Sequence, residues 1–223
     1  AERARADGVI VVPMKTPELG PDMYFTLNIS PADCTGCNVC VKNCPVQALS
    51  MIALNDAGEE QKRFNAAQKI PDIPREKLNL NVPKHVELLP HYFEFSGACA
   101  GCGETPYIKM MAHLFGDRMV VANATGCSSI YGANLPTTPW TADANGRGPA
   151  WSNSLFEDNA EYGLGMRVAL NQKRETLKGL LFELNIPNIE EMFAERNPDK
   201  QREIETELRK QLEKIDSPRA ELA

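Results

Sequence analysis

The chain has 223 residues, 43% of them apolar and 24% charged, with a formal net charge of −6. That length suffices for one or two domains with real cores, and an acidic balance without a basic stripe excludes binding driven by nucleic-acid phosphates or by an anionic membrane surface. No apolar run nears the ~20 residues of a membrane span. The short run after the charged N-terminus is broken by Pro13 too soon for a secretory signal, so the expected location is cytoplasmic.

Val9 to Val12 and Met23 to Asn28 read as short strands around a turn-rich stretch holding Pro17, Gly20 and Pro21. Four cysteines follow, and Ser50 to Leu54 reads as a closing strand. Residues 55–90 are polar, carry Pro71, Pro74, Pro83 and Pro90, and show little periodicity, so they read as a linker wrapped on a neighbour. A second unit begins near Tyr92. The spacing of Tyr107, Met110, Met111 and Leu114 predicts a helix from Glu104 to Phe115, stopped by Gly116. Met119 to Ala122 reads as a buried strand, and Thr125 to Asn153 as a long loop of Gly, Pro, Ser and Thr. A helix is expected over 155–184, broken by Pro187. Another is expected over 199–215, with a packing stripe at Ile204, Leu208, Leu212 and Ile215.

Seven cysteines, an odd number, in a chain read as cytosolic argue against disulfides. Cys34, Cys37, Cys40 and Cys44, followed by Pro45, have the spacing of the bacterial ferredoxin run. Two-residue gaps let three thiolates curl round one face of a cubane, while the fourth points away toward another cluster. A zinc site would favour two separated pairs. Read as part of a two-cluster unit, Cys34, Cys37 and Cys40 need one more thiol and Cys44 needs three; alternatively the unit binds a single cluster with a ligand from elsewhere, and either way the run is incomplete by itself.

Cys99 and Cys102 lie in the stretch Phe93 to Tyr107, among Ser96, Gly97, Ala98, Ala100, Gly101 and Gly103, with Glu104 next. Glycines let backbone approach a bulky inorganic group with amide hydrogens facing it. Cys127 sits in a second small-residue loop, 124–129. Spacing alone leaves three readings open for Cys99 and Cys102: two corners of a cluster completed by Cys127, a redox pair at a helix start, or half a zinc site. Glu104 reads equally as a first-turn acid favoured by the helix dipole. Asn123, Thr125 and Ser128 are able to reach a ligand or to serve as turn residues. Glu157, Asp158 and Glu161 read as a helix N-terminus. His85, His91 and His113 look isolated, and no catalytic residue is assigned.

The phrases SGACAGCGETPY, ANATGCSSIYGANLP and GPAWSNSLFEDNAEYGLGM resemble pyruvate:ferredoxin (flavodoxin) oxidoreductase, and DCTGCNVCVKNCP resembles the second cluster run of that family's ferredoxin-like domain. The resemblance implies an α+β fold: half of a two-cluster ferredoxin-like domain (1–54), a linker (55–91), and the N-terminal part of an α/β thiamine-diphosphate-binding domain (92–223) with long C-terminal helices. It implies that Cys99, Cys102 and Cys127 ligate the [4Fe–4S] cluster nearest the thiamine, with a fourth cysteine supplied from elsewhere. Cys34, Cys37 and Cys40 would serve one ferredoxin-type cluster and Cys44 another. Glu104 and Cys127 would also contact thiamine diphosphate.

The family's Gly-Asp-Gly motif for Mg²⁺ is not matched. Gly116-Asp117-Arg118 lacks the second glycine and reads as a turn. The chain is therefore expected to be a fragment or split subunit, inactive alone. It would work with the remainder of the enzyme, as a homodimer, on pyruvate and coenzyme A, with ferredoxin or flavodoxin as acceptor. The competing expectations are a non-enzymatic iron–sulfur electron carrier, which would need only Cys34 to Cys44, and a zinc-bound structural module.

Overall fold

A computed structural model describes residues 5, 8–20, 22–133 and 138–222. Helices and two small sheets are mixed along the chain, in keeping with an α+β class. The chain divides into two compact units, Ala1–Phe156 and Glu157–Ala223.

The first unit opens with β1 (Val12–Pro13) antiparallel to β2 (Tyr24–Phe25), Val12 opposite Phe25. These strands are shorter than the sequence suggests, and one further backbone bond, from the Met14 N–H to the Met23 carbonyl at 2.9 Å, lies just beyond them. A four-residue helix, α1 (Val39–Lys42), follows inside the cysteine run. The strand expected at Ser50 to Leu54 does not form: residues 50–53 have no regular structure and Leu54–Asp56 is a 3₁₀ turn. Met51, Ile52 and Leu54 are all exposed, so no buried face holds an extended segment there.

The stretch read as a linker is built into this unit. Helix α2 (Gly58–Ala67) starts with Glu59 and Glu60, which favour the positive end of the helix dipole and pair with Lys62 and Arg63 at 2.6 and 2.7 Å. Its sparse apolar residues give little periodicity, which hides this helix in the sequence. After a 3₁₀ turn at Arg75–Lys77 comes α3 (Pro83–Val86), with proline in its first turn. Leu78, Val86 and Leu89 join Leu19 in a buried cluster, and Met110 and Leu114 pack on it.

Met110 and Leu114 belong to α4 (Thr105–Phe115), which ends at Gly116 as its spacing predicts. The glycine is needed: a Cβ there would stand 2.5 Å from the Tyr92 ring and 2.4 Å from the Ala112 carbonyl. Residues 116–118 form the expected turn. Strand β3 (Val120–Ala124) runs parallel to β4 (Ala150–Ser154), pairing Val120 with Ala150 through Ala124 with Ser154. Helix α5 (Cys127–Ala133) lies in the connection between them. The long loop expected at 125–153 thus contains a helix and a strand, and its residues 134–137 lie outside the described residues. A second buried cluster joins Tyr92, Phe93, Ala112 and Tyr131, with Trp140 and Ile108 packed against it.

The second unit holds α6 (Asn159–Glu183), α7 (Ile189–Ala194), α8 (Pro198–Leu212) and α9 (Pro218–Leu222). Leu181 and Ile189 are buried where α6 meets α7, beside a Lys178–Glu190 ion pair of 2.7 Å. The Asn197 side chain caps α8 by accepting from the N–H groups of Asp199 and Lys200. Its apolar stripe is half-buried. Among the described residues, no helix is long and apolar enough to cross a membrane.

Candidate metal centre

All seven cysteines are free thiols. The first group lies on a loop braced from outside. The Ser30 hydroxyl donates to Asp33 at 2.5 Å, and Gln61 of α2 accepts the Ala32 N–H at 3.0 Å. Gly36 then turns the chain at φ +67°, in the left-handed region that favours glycine. Asn38 takes a similar conformation to open α1, which carries Cys40. Cys34, Cys37 and Cys40 are exposed and Cys44 is half-buried.

Cys44 is the most prepared thiol of the run. The Ala48 N–H donates to its sulfur at 3.3 Å. Amide hydrogens of Ala48 and Val46, with smaller contributions from Leu49 and Gln47, hold the thiol below its ordinary range despite slight desolvation. The Asn38 side-chain oxygen nearby in sequence is buried without a partner among the described residues.

The second group sits on a turn before α4 and at the start of α5. Cys102 closes a turn on Cys99, its N–H donating to the Cys99 carbonyl at 3.0 Å, and Gly101 supplies φ +72°. The turn leads into α4, so the N–H groups of Thr105 and Glu104 face the Cys102 sulfur. They lower its pKa, helped by the Thr105 hydroxyl and opposed by the Glu104 charge. Nothing lies within 4 Å of a Cβ built on Gly97 or Gly103, which leaves room beside the thiols. Cys127 opens α5 and is exposed.

Glu104 stands at the N-cap of α4 but makes no capping bond. Its Oε1 accepts a hydrogen bond of 2.8 Å from the Tyr131 hydroxyl of α5. Burial, first, and then the bond to Glu104 and the charges of Glu104, Cys102 and Cys127 push Tyr131 far above its ordinary range, so the hydroxyl remains a donor. The structure therefore brings Glu104, Cys102, Cys127 and Tyr131 into one neighbourhood. Tyr131 was not singled out by sequence; a lone Tyr in a small-residue phrase gives no periodic signal.

Asn123, Thr125 and Ser128 are engaged within the protein. Ser128 donates to Asn123 at 2.8 Å, Asn123 donates to Asn153 at 2.9 Å, and Thr125 donates to the Ser154 carbonyl at 3.0 Å. With Ser129, which bonds Asn153 at 2.8 Å, they tie α5 to the carboxyl ends of the parallel strands. The histidines are not all isolated: His91 Nδ1 and His113 Nε2 lie 3.2 Å apart, because α4 folds back against the segment that follows α3.

Among the described residues, no three His, Cys, Asp or Glu are gathered closely enough to hold a metal ion as they stand. The donor chemistry fits an iron–sulfur cluster all the same. Both groups present thiols on glycine-turned loops, and one thiol in each is ringed by backbone N–H groups that favour the thiolate.

Residues 27–50 match the 4Fe-4S binding domain family. Over 166 residues, 70% of this chain, it is 54% identical to the pyruvate-flavodoxin oxidoreductase of Nostoc sp., covering 14% of that protein. The chain is homologous to a segment of the pyruvate:ferredoxin (flavodoxin) oxidoreductases. It is 48% identical to the pyruvate:ferredoxin oxidoreductase of Moorella thermoacetica over 70% of its length, covering 13% of that enzyme. It is likewise 48% identical to the pyruvate dehydrogenase [NADP(+)] of Cryptosporidium parvum over 71%, covering 8%. The chain thus spans less than a fifth of the length of each of these relatives.

Proposed function

We propose that this chain is part of a thiamine-dependent 2-oxoacid oxidoreductase that decarboxylates pyruvate oxidatively to acetyl-coenzyme A and carbon dioxide, passing electrons through [4Fe–4S] clusters. The observation that carries this reading is the pairing of a ferredoxin-type cysteine run with a second thiol group in a chain 54% identical to a pyruvate-flavodoxin oxidoreductase. When bound, thiamine diphosphate with Mg²⁺ supplies the electron sink for decarboxylation, and the clusters supply one-electron acceptors.

This chain's own work is to hold and tune. Cys99, Cys102 and Cys127 would hold one [4Fe–4S] cluster, with the Thr105 and Glu104 amides donating to the Cys102 thiolate. Glu104 and the Cys127 loop would contact the thiamine cofactor. Cys34, Cys37 and Cys40 ligate one ferredoxin-type cluster, and Cys44, stabilised as thiolate by the Ala48 amide, ligates another. The remaining ligands, the Mg²⁺ site and the substrate pocket come from other parts of the enzyme. Relatives named for flavodoxin, ferredoxin and NADP(+) share this segment, so the acceptor is chosen outside it.

The test is anaerobic purification of this chain together with the remaining parts of the enzyme, on one polypeptide or as separate subunits, with iron, sulfide and turnover measured together. Iron and sulfide with thiamine-dependent release of carbon dioxide from pyruvate is expected. Iron and sulfide without any thiamine dependence would favour the electron-carrier alternative, and zinc without sulfide would remove both.

A further inference from the structure

Tyr131 is 4% exposed, and its ring packs edge-on against Phe93, with centroids 6.0 Å apart at 76°. Phe93 is held in turn by Trp140 at 4.7 Å. At the open end of this aromatic row, the Tyr131 hydroxyl donates to Glu104 Oε1 at 2.8 Å. The two residues are 27 positions apart, Glu104 at the N-cap of α4 after the Cys99–Cys102 turn and Tyr131 on α5, which Cys127 opens. A glutamate at a helix start has three rotatable side-chain bonds and is costly to order alone. Glu104 neither caps α4 nor is buried, so its order must come from a partner.

We propose that Tyr131 is a positioning residue that pins the Glu104 carboxylate between the two cysteine loops, leaving its second oxygen to meet the thiamine cofactor. This rests on the reading of Glu104 as a cofactor contact. The aromatic row cannot shift without opening the buried cluster of Tyr92, Phe93 and Ala112, so the carboxylate is set before any ligand arrives. Preorganisation of this kind lowers the ordering cost at the moment of binding. A Phe at 131 keeps the ring and its packing and deletes only the donor.

The experiment is a double-mutant cycle on the completed enzyme, reading the dissociation constant of thiamine diphosphate with Mg²⁺ by calorimetry on cofactor-stripped protein. Tyr131→Phe is expected to weaken binding roughly three- to ten-fold, the net scale of one ordinary intramolecular hydrogen bond, because the loss reaches the ligand only through the position of Glu104. In a Glu104→Ala background the same substitution is expected to change nothing, because its target is gone. The thermal midpoint of Tyr131→Phe should stay close to that of the parent, as a check on folding. Unchanged affinity in Tyr131→Phe, or equal loss in both backgrounds, would overturn the positioning role while leaving the thiamine reading intact. Absence of thiamine binding in the parent itself would overturn both.

Discussion

No residue from 31 to 56 is buried. The loops around Cys99, Cys102 and Cys127 stand instead on Tyr92, Phe93, Ala112 and Tyr131, none more than 5% exposed. The same donor chemistry is thus supported in two ways. Around Cys34 to Cys44 the chain supplies turns, a four-residue helix and one outside brace from Gln61, while Val46, Leu49, Met51 and Ile52 remain in solvent. Such a segment gains its order from what binds the thiols or covers it, as small metal domains do. In the second region packing sets the loops beforehand, and the binding energy of a cluster need not fold the chain.

The largest effect that separates the two regions is metal removal. On stripping iron from the completed, iron-loaded enzyme, amide exchange over 31–56 should rise toward unprotected rates, while 105–115 and 120–124 keep their protection. Hydrogen-exchange mass spectrometry before and after chelation reads this directly. Equal loss of protection in both regions would show that the aromatic cluster does not support the second one independently.

Next in size is a pair of substitutions. Phe93 is 2% exposed, and Phe93→Ala should destabilise the first unit by ~3–5 kcal/mol. Iron at the site proposed for Cys99, Cys102 and Cys127 should be lost with it. Val46, 77% exposed, should tolerate Val46→Ala within about 0.5 kcal/mol. Denaturant titration with iron analysis tests both. A large penalty at Val46 would mean that another part of the enzyme already covers the cysteine run.

How much of this was legible in sequence follows from the same contrast. The cysteine spacings are local, and α4 and its glycine stop carry periodic or punctuating signals, so they could be read directly. Strand β3 reads as a buried strand, yet it is exposed at Val120 and half-buried beyond it. Helix α2 could not, because it is held by Glu–Lys and Glu–Arg pairs and presents little apolar periodicity. Strand β4 has a mixed sequence, AWSNS, and owes its form to pairing with β3 thirty residues earlier. Ser50 to Leu54 shows the opposite error, an apolar run with nothing to pack on. Tyr131 and Glu104 meet only in three dimensions, as do His91 and His113.

The histidine pair gives the smallest effect and bears on the second region alone. His113 lies on α4, 2% exposed, with Nδ1 2.8 Å from the Val86 carbonyl. That nitrogen must carry the proton, so Nε2 of the neutral ring accepts from His91 Nδ1. Burial, first, holds His113 below its ordinary range, and the His91 and Lys109 charges act in the same direction, against Val86 and Glu87. A histidine whose folded pKa is depressed takes up its proton more readily when unfolded. Stability is then full above the unfolded value of about 6.5 and falls as pH drops through the window beneath it. Acidification from pH 7.5 to 5.5 should lower the thermal midpoint of the first unit, and His113→Gln, which does not titrate, should reduce that difference. In exchange experiments the loosening at pH 5.5 should appear in α4 and the segment around Val86, and not in residues 31–56. If acid instead loosens the cysteine run first, then protonation of the thiolates, rather than the buried ring, governs the response.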